Sequence, residues 1–215
     1  MDQKVSIHKI LEILKKYYPH AKIVLNFKND WELLVAVILS AQCTDKKVNE
    51  VTAKLWQKYK TLDDYVKAEA TEFEKDIHST GFYHAKAKNI LATAKLIKEK
   101  FGGKVPKTME ELVSLSGVAR KTANVVLGNA FNIVVGIAVD THVSRVSQRL
   151  GLTKNTDPVK IEKDLMSLLP KEEWFSFTYR IIDFGREICV AKGPFCSKCP
   201  LNELCPSAFK IPNYR

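Results

Sequence analysis

Four cysteines near the end of the sequence have the residue type and spacing of a metal site. They form a C-x6-C-x2-C-x5-C array at Cys189, Cys196, Cys199 and Cys205. Such a group of thiols can bind a zinc ion or a [4Fe–4S] cluster, or form two disulfides. Structural zinc sites usually pair two short C-x-x-C knuckles across a longer gap, and this array contains only one. The spacing therefore favours an iron–sulfur cluster over zinc, and either metal over disulfides.

The remaining cysteine and the start of the chain indicate the compartment. Cys43 lies far from the array, and we expect it to be a small buried hydrophobic side chain. Residues 1–9 lack the apolar run of a signal peptide, and the longest apolar run, 33–39, is too short to cross a bilayer. These features predict a cytoplasmic protein in which clustered thiols stay reduced.

The charge balance points to a polyanionic partner. The 215 residues include 34 Lys and Arg against 24 Asp and Glu, which gives a net charge of +10. An excess of this size is typical of proteins that bind nucleic acid. A basic surface that only maintains solubility is the alternative that charge leaves open. The length fits one large domain or two small ones.

Apolar spacing predicts helices along most of the chain. Residues 31–41 are apolar almost all round, as expected of a buried central helix. Thr-x-x-Glu at 71–74 and 108–111 predicts two capping boxes. The β-branched stretches at 22–27 and 133–139 have no flanking hairpin residues, so we interpret both as connectors. The predicted fold class is all-α.

A glycine-containing turn between two predicted helices could bind phosphate. Residues 115–123 read Leu-Ser-Gly-Val-Ala-Arg-Lys-Thr-Ala. A tight turn here would direct the first backbone N–H groups of the second helix, and the positive end of its dipole, towards an anion. Such a contact does not depend on the base sequence, so it is suited to binding the DNA backbone.

This segment resembles the helix–hairpin–helix of the endonuclease III superfamily of DNA repair glycosylases, whose pattern is L-P-G-V-G-R-K-T-A. Three more segments are similar to family motifs: Leu39-Ser40-Ala41-Gln42-Cys43-Thr44-Asp45, Gly81-Phe82-Tyr83 with Lys86-Ala87, and Val139-Asp140-Thr141-His142-Val143. The cysteine array also has the family's iron–sulfur spacing. The resemblance extends from about residue 22 to residue 206.

The resemblance implies an architecture and an activity. It implies a six-helix barrel module with the hairpin at 22–132, and a discontinuous iron–sulfur module at 1–21 and 133–215, on either side of a DNA-binding cleft. The expected enzyme is a monomeric, bifunctional DNA glycosylase and AP lyase. It would remove oxidised pyrimidines from double-stranded DNA and cleave abasic sites, with no membrane partner.

The resemblance also assigns roles to individual residues. Lys121 is the expected Schiff-base nucleophile and Asp140 its catalytic partner, although Asp140 is also placed to cap the helix that begins at Thr141. Gln42 and Phe82 are expected to fill the gap left by a flipped nucleotide. The other expected DNA contacts are Gly117, Ala119, Thr122 and Lys192. A [4Fe–4S] cluster on Cys189, Cys196, Cys199 and Cys205 is the expected, structural, cofactor.

Two hairpin residues depart from the family pattern. Ser116 replaces a proline and Ala119 replaces a glycine. If residue 119 needed a positive φ, alanine would cost about 1 kcal/mol there. Two alternatives stay open at this point. One is a mismatch or pyrimidine-dimer glycosylase on the same scaffold, and the other is a DNA-binding module without catalytic activity.

Overall fold

The computed structural model describes residues 3–215, and every regular element in that range is a helix, as predicted. None of these helices has the length and hydrophobicity to cross a membrane. Within residues 3–215, four short 3-10 helices accompany the α-helices. The α-helices are α1 Gln3–Tyr17, α2 Asp30–Leu39, α3 Asp45–Lys58, α4 Leu62–Lys67, α5 Ala70–Ile77, α6 Tyr83–Lys100, α7 Met109–Val113, α8 Arg120–Phe131, α9 Thr141–Arg149, α10 Pro158–Leu168 and α11 Trp174–Glu187.

The chain divides into two compact units. The first, here called the hairpin unit, is Val24–Val135, and the second, the terminal unit, joins Met1–Ile23 to Gly136–Arg215. The stretches 22–27 and 133–139 contain no strand, so they are connectors as expected. Each unit has its own hydrophobic core.

The hairpin unit is built around α2. Its residues from Leu33 to Leu39 are all buried, and α2 packs against α8, α6 and α3. The side chain of Asn29 begins the helix by accepting a hydrogen bond from the backbone N–H of Glu32 at 2.8 Å. A second layer forms where α6 packs against α4 and α5. This packing fixes the loops that precede α3, α6 and α8.

One of the two predicted capping boxes is wrong, and the other is present only as a one-sided cap. Thr108 does cap α7, accepting from the backbone N–H of Glu111 at 3.3 Å. Thr71, however, lies inside α5, which begins one residue earlier with Glu69 at the cap position. A reciprocal box instead begins α4, between Thr61 and Asp64.

The terminal unit buries apolar faces of α1, α9, α10 and α11. The α9–α11 pair makes its most extensive contact, and α1 packs against α11. Gly185 on α11 allows this approach, because a Cβ there would lie 3.1 Å from Nη2 of Arg145 and 3.3 Å from Cβ of His142. The unit thereby fixes the start of α9 and the cysteine loops after α11.

Candidate active site and metal centre

The hairpin is a turn between α7 and α8 that is fastened to α6. The backbone N–H of Val118 donates to the carbonyl of Leu115 at 3.2 Å. The hydroxyl of Thr93, a buried residue on α6, donates to the carbonyl of Ser116 at 3.0 Å. Ser116, which stands where the motif has proline, is therefore held by a tertiary hydrogen bond and not by the rigidity of a proline ring.

Gly117 is the position in the hairpin that requires glycine. Its φ is +76°, and a Cβ there would lie 2.7 Å from Nδ2 of Asn89. Ala119 has φ −87° and ψ 169°, which is extended backbone that alanine adopts without strain. The substitution of Ala119 for glycine therefore costs no backbone strain, and this answers the question that the sequence left open.

Lys121 and Thr122 lie in the first turn of α8. Ala119, at the cap position, makes no side-chain capping bond to that turn. Ala119 and Gly117 are exposed, while Lys121 and Thr122 are half-buried. This helix end therefore has its positive dipole end beside an exposed loop, which is the arrangement that favours an anion.

Gln42 and Phe82 share an unusual backbone conformation. Gln42 has φ +51° and lies in the loop between α2 and α3, whereas Phe82 has φ +48° and directly precedes α6. Both residues are exposed, and the exposed fraction of Phe82 is 67%. Left-handed backbone is costly for residues other than glycine and clusters at functional sites. No sequence pattern predicted this strain.

Asp140 caps α9, as its position before Thr141 predicted. Its Oδ1 accepts hydrogen bonds from the backbone N–H groups of His142 and Val143, both at 2.8 Å. Its Oδ2 lies 3.2 Å from Nδ1 of His142. The carboxylate is thus fixed in orientation within the terminal unit, whereas Lys121 belongs to the hairpin unit.

The four cysteines of the array line one cavity. Its apolar walls include Leu150, Phe184 and Phe195. Cys196 is buried, the other three are half-buried, and all have free thiols. Within residues 3–215 there is no group of three or more His, Cys, Asp or Glu side chains placed to hold a metal ion. The four thiols of the array nevertheless share one cavity.

Hydrogen-bond donors surround these sulfurs. The backbone N–H of Leu201 donates to Sγ of Cys199 at 3.4 Å, and Nη1 of Arg149 lies 3.4 Å from Sγ of Cys189. Burial raises the pKa of the Cys199 thiol to about 11 and also raises that of Cys205. Positive charge inside the cavity would be needed to keep these groups as thiolates.

Two arginines on α9 fasten the loop that follows Cys189. Arg149 donates to the carbonyls of Val190 at 2.8 Å and Ala191 at 2.9 Å. Arg145 donates from Nη2 to the carbonyl of Cys189 at 3.1 Å. Sequence reasoning missed this pair, although two arginines at i and i+4 on a predicted helix are a readable sign of a shared face.

The last two predicted positions lie apart from these clusters. Lys192 is exposed on the loop held by the two arginines. Cys43 is half-buried in the hairpin unit and does not line the cavity, so the expectation that it would be buried is wrong. Its neighbour Gln42 is exposed in the same turn.

The chain as a whole is similar to several known proteins. Residues 35–171 match the family described as HhH-GPD superfamily base excision DNA repair protein. An endonuclease III of Synechocystis sp. is 54% identical over 206 residues, which cover 96% of this chain and 94% of that protein. A non-covalent endonuclease III–DNA complex has 46% identity and a TM-score of 0.93, covering 98% of both chains. A trapped endonuclease III–DNA covalent intermediate, also 46% identical, has a TM-score of 0.94 and covers 98% of this chain and 99% of that chain.

Proposed function

The chain belongs to the endonuclease III family of base excision DNA repair proteins, and from that premise we propose that Lys121 is the nucleophile with which it acts on damaged DNA. The protein is a DNA glycosylase and AP lyase whose partner is DNA. The observation that carries the assignment is the position of Lys121 in the first turn of α8, directly after the fastened hairpin. A relative that forms a covalent intermediate with DNA supports it.

The hairpin binds a DNA phosphate in this proposal. The left-handed Gly117 and the extended Ala119 turn the chain so that the backbone N–H groups at the start of α8 face an exposed loop. A phosphate there is stabilised by N–H donors and by the helix dipole. Lys192 adds positive charge on the terminal unit. These contacts carry no sequence information and set the register of the strand.

Gln42 and Phe82 replace the nucleotide that leaves the stack. A damaged base inside a duplex must be flipped out before chemistry can reach its sugar. The exposed Phe82 ring can stack on the neighbouring bases, and the Gln42 amide can bond to the orphaned base. Their strained backbones present both side chains outward from the hairpin unit.

The reaction then begins at C1′ of the flipped nucleotide. The neutral amine of Lys121 forms a bond to C1′ as the bond to the base breaks, and the base leaves with the electron pair and gains a proton. The sugar ring opens to a Schiff base. Loss of a proton from C2′ expels the 3′ phosphate by β-elimination, and water then releases the lysine.

Asp140 supports the cationic stages of this reaction. A fixed carboxylate can stabilise the positive charge that develops on the sugar, or accept a proton from the attacking amine. Its three contacts with the first turn of α9 hold its orientation before substrate binds.

Cys189, Cys196, Cys199 and Cys205 would hold the [4Fe–4S] cluster of this family. Their apolar cavity, the N–H donors at sulfur and the spacing of the array fit a thiolate-ligated cluster. A bound cluster supplies positive iron that stabilises buried thiolates and connects the loops of the terminal unit. No step of the proposed base removal requires a redox change, so its role is structural.

Oxidised pyrimidines in duplex DNA are the proposed substrates, and a monomer in the cytoplasm, associated with the nucleoid, is the proposed working form. The division of the chain at 24–135 supports a helical module with the hairpin and a second module with the cysteines. A mismatch or pyrimidine-dimer glycosylase on the same scaffold is the alternative specificity.

The test is a panel of duplexes, each with one lesion, incubated with and without borohydride. The proposal predicts excision of oxidised pyrimidines, cleavage at abasic sites and a borohydride-trapped covalent adduct with both. Preferred excision from normal-base mismatches or pyrimidine dimers would establish the alternative specificity. A protein that bound all duplexes and trapped none would be a DNA-binding module.

A further inference from the structure

Lys86 is a buried cation that the proposed mechanism does not use. It lies on α6 and is 4% exposed. Its Nζ donates to the carbonyl of Thr80 at 2.8 Å, and no carboxylate in the described part of the chain forms a salt bridge with it. Burial lowers the pKa of this amine below its ordinary value. Buried lysines without an ionic partner are rare because the charge is costly to desolvate, so a specific role is expected.

The Lys86 side chain holds one end of the turn that carries Phe82, and the first helical hydrogen bond of α6 closes the other end. Its backbone N–H donates to the carbonyl of Phe82 at 3.1 Å, while its side chain binds the carbonyl of Thr80. Between these two carbonyls lie Gly81, with φ +69°, and the left-handed Phe82 itself. The Lys86 backbone therefore binds one end of the turn, and the Lys86 side chain binds the other end.

The elements next to the Phe82 turn and the Gln42 loop pack together. The helix that follows this loop, α3, packs against the 3-10 helix His78–Thr80 that precedes the Phe82 turn. The Phe82 turn and the Gln42 loop are therefore linked by the packing of their neighbouring elements.

We propose that Lys86 is a positioning residue for base extraction, which holds the turn of Phe82 in its strained outward conformation and, through the packing of His78–Thr80 against α3, supports the loop that carries Gln42. Strained left-handed residues persist only where the surrounding structure fixes them, and an ammonium bonded to a carbonyl is stronger than a neutral hydrogen bond. This inference rests on the proposed function, since it assumes that Phe82 and Gln42 enter the duplex.

Lys86→Met separates positioning from packing. Methionine keeps the long apolar stem and removes the donor and the charge. We expect excision of an oxidised pyrimidine from duplex DNA to fall about tenfold to a hundredfold, as for the loss of a charged hydrogen bond. Cleavage of a pre-formed abasic site, which needs no base extraction, changes little. Lys88→Met is the matched control, because Lys88 is an exposed lysine on the same helix, and it leaves both rates unchanged.

Two further measurements exclude a merely structural effect. Lys86→Arg retains charge and donors and should recover most of the lost excision. A fluorescent base analogue placed beside the lesion should show slower or smaller unstacking with Lys86→Met than with the parent protein. If Lys86→Met does not fold, Lys86→Gln gives the same comparison, because its amide ends one atom short of the lysine nitrogen.

Equal loss on both substrates, or unchanged excision by a folded Lys86→Met protein, would overturn the positioning role. Such a result would leave the proposed function intact, because the parent protein would still excise the base and cleave abasic sites. Failure of the parent protein itself to excise any base would instead refute the proposed function.

Discussion

Asp140 and His142 form a closed turn in which the carboxylate binds both the backbone N–H of His142 at 2.8 Å and its ring nitrogen Nδ1 at 3.2 Å. The proposed catalytic carboxylate is therefore also the cap of α9. Capping and chemistry can be separated by substitution, because asparagine and aspartate cap helices about equally well.

Asp140→Asn should keep the fold and lose the chemistry. We expect base removal to slow strongly, with some trapping retained at abasic sites, and a free energy of unfolding within about 0.5 kcal/mol of the parent protein, since the cap survives. Asp140→Ala should lose the same activity and, in addition, about 1 kcal/mol of stability. Single-turnover excision and denaturant unfolding are the measurements. An Asp140→Asn protein with undiminished excision would remove the carboxylate from the mechanism.

Gly117→Ala should damage the hairpin through a steric contact. The new Cβ would meet Asn89, whereas at Gly103, with φ +78°, the nearest atom outside its chain neighbours is Cδ2 of Leu62 at 4.0 Å. Gly103→Ala is the matched control, because both substitutions carry the left-handed strain of about 1 kcal/mol. Only Gly117→Ala adds the contact with Asn89, so only that variant should also weaken binding to a duplex with an uncleavable abasic site. Equal affinities for the two variants, measured at one salt concentration, would separate the hairpin from DNA binding.

Phe82→Gly and Gln42→Gly should lose activity while the stability of the fold is kept. Glycine removes the left-handed strain at these positions, which offsets or exceeds the loss of the exposed side chain and keeps the free energy of unfolding within about 1 kcal/mol of the parent value. Excision from duplex DNA should fall far more than cleavage at an abasic site. Asn132→Gly, at φ +55°, is the matched control for the backbone effect. Equal losses on the two substrates would make Phe82 and Gln42 general DNA contacts.

The cysteine cavity should contain iron. Purified protein should be yellow-brown, with about four irons per chain and a broad charge-transfer absorption near ~400 nm. Arg149→Met removes the contacts to the Cys189 sulfur and to the carbonyls of Val190 and Ala191, so it should speed iron release to a chelator and lower thermal stability. Lys198→Met, an exposed change within the array, is the control. Colourless, active protein with stoichiometric zinc would contradict the cluster.

The sequence predicted those features that local chemistry determines. The all-α class followed from apolar spacing, and Asp140 was placed as a cap because it precedes Thr141. The tertiary hydrogen bond from Thr93 to Ser116 was not predictable, because those residues lie 23 positions apart. The left-handed backbones of Gln42 and Phe82 were missed for a related reason. Their conformation is imposed by surrounding packing and opposes their own preference.

The proposed functional residues are predicted by sequence motifs, whereas the residues that hold their loops in place are not. Lys86 was noted only as a motif lysine, and its burial under the Phe82 turn depends on how α6 packs against its neighbours. Arg145 and Arg149 bind backbone carbonyls more than 39 residues away, which no local pattern encodes.

The central claim is that Lys121 forms the covalent bond to DNA. Borohydride trapping on an abasic duplex tests it most directly, with Lys121→Gln compared against Lys163→Gln, an exposed lysine on α10. We expect Lys121→Gln to bind the duplex but to give no trapped adduct and no strand cleavage. Lys163→Gln should give the trapped adduct at the yield of the parent protein. A trapped adduct with Lys121→Gln at the parent yield would contradict the account and place the nucleophile elsewhere.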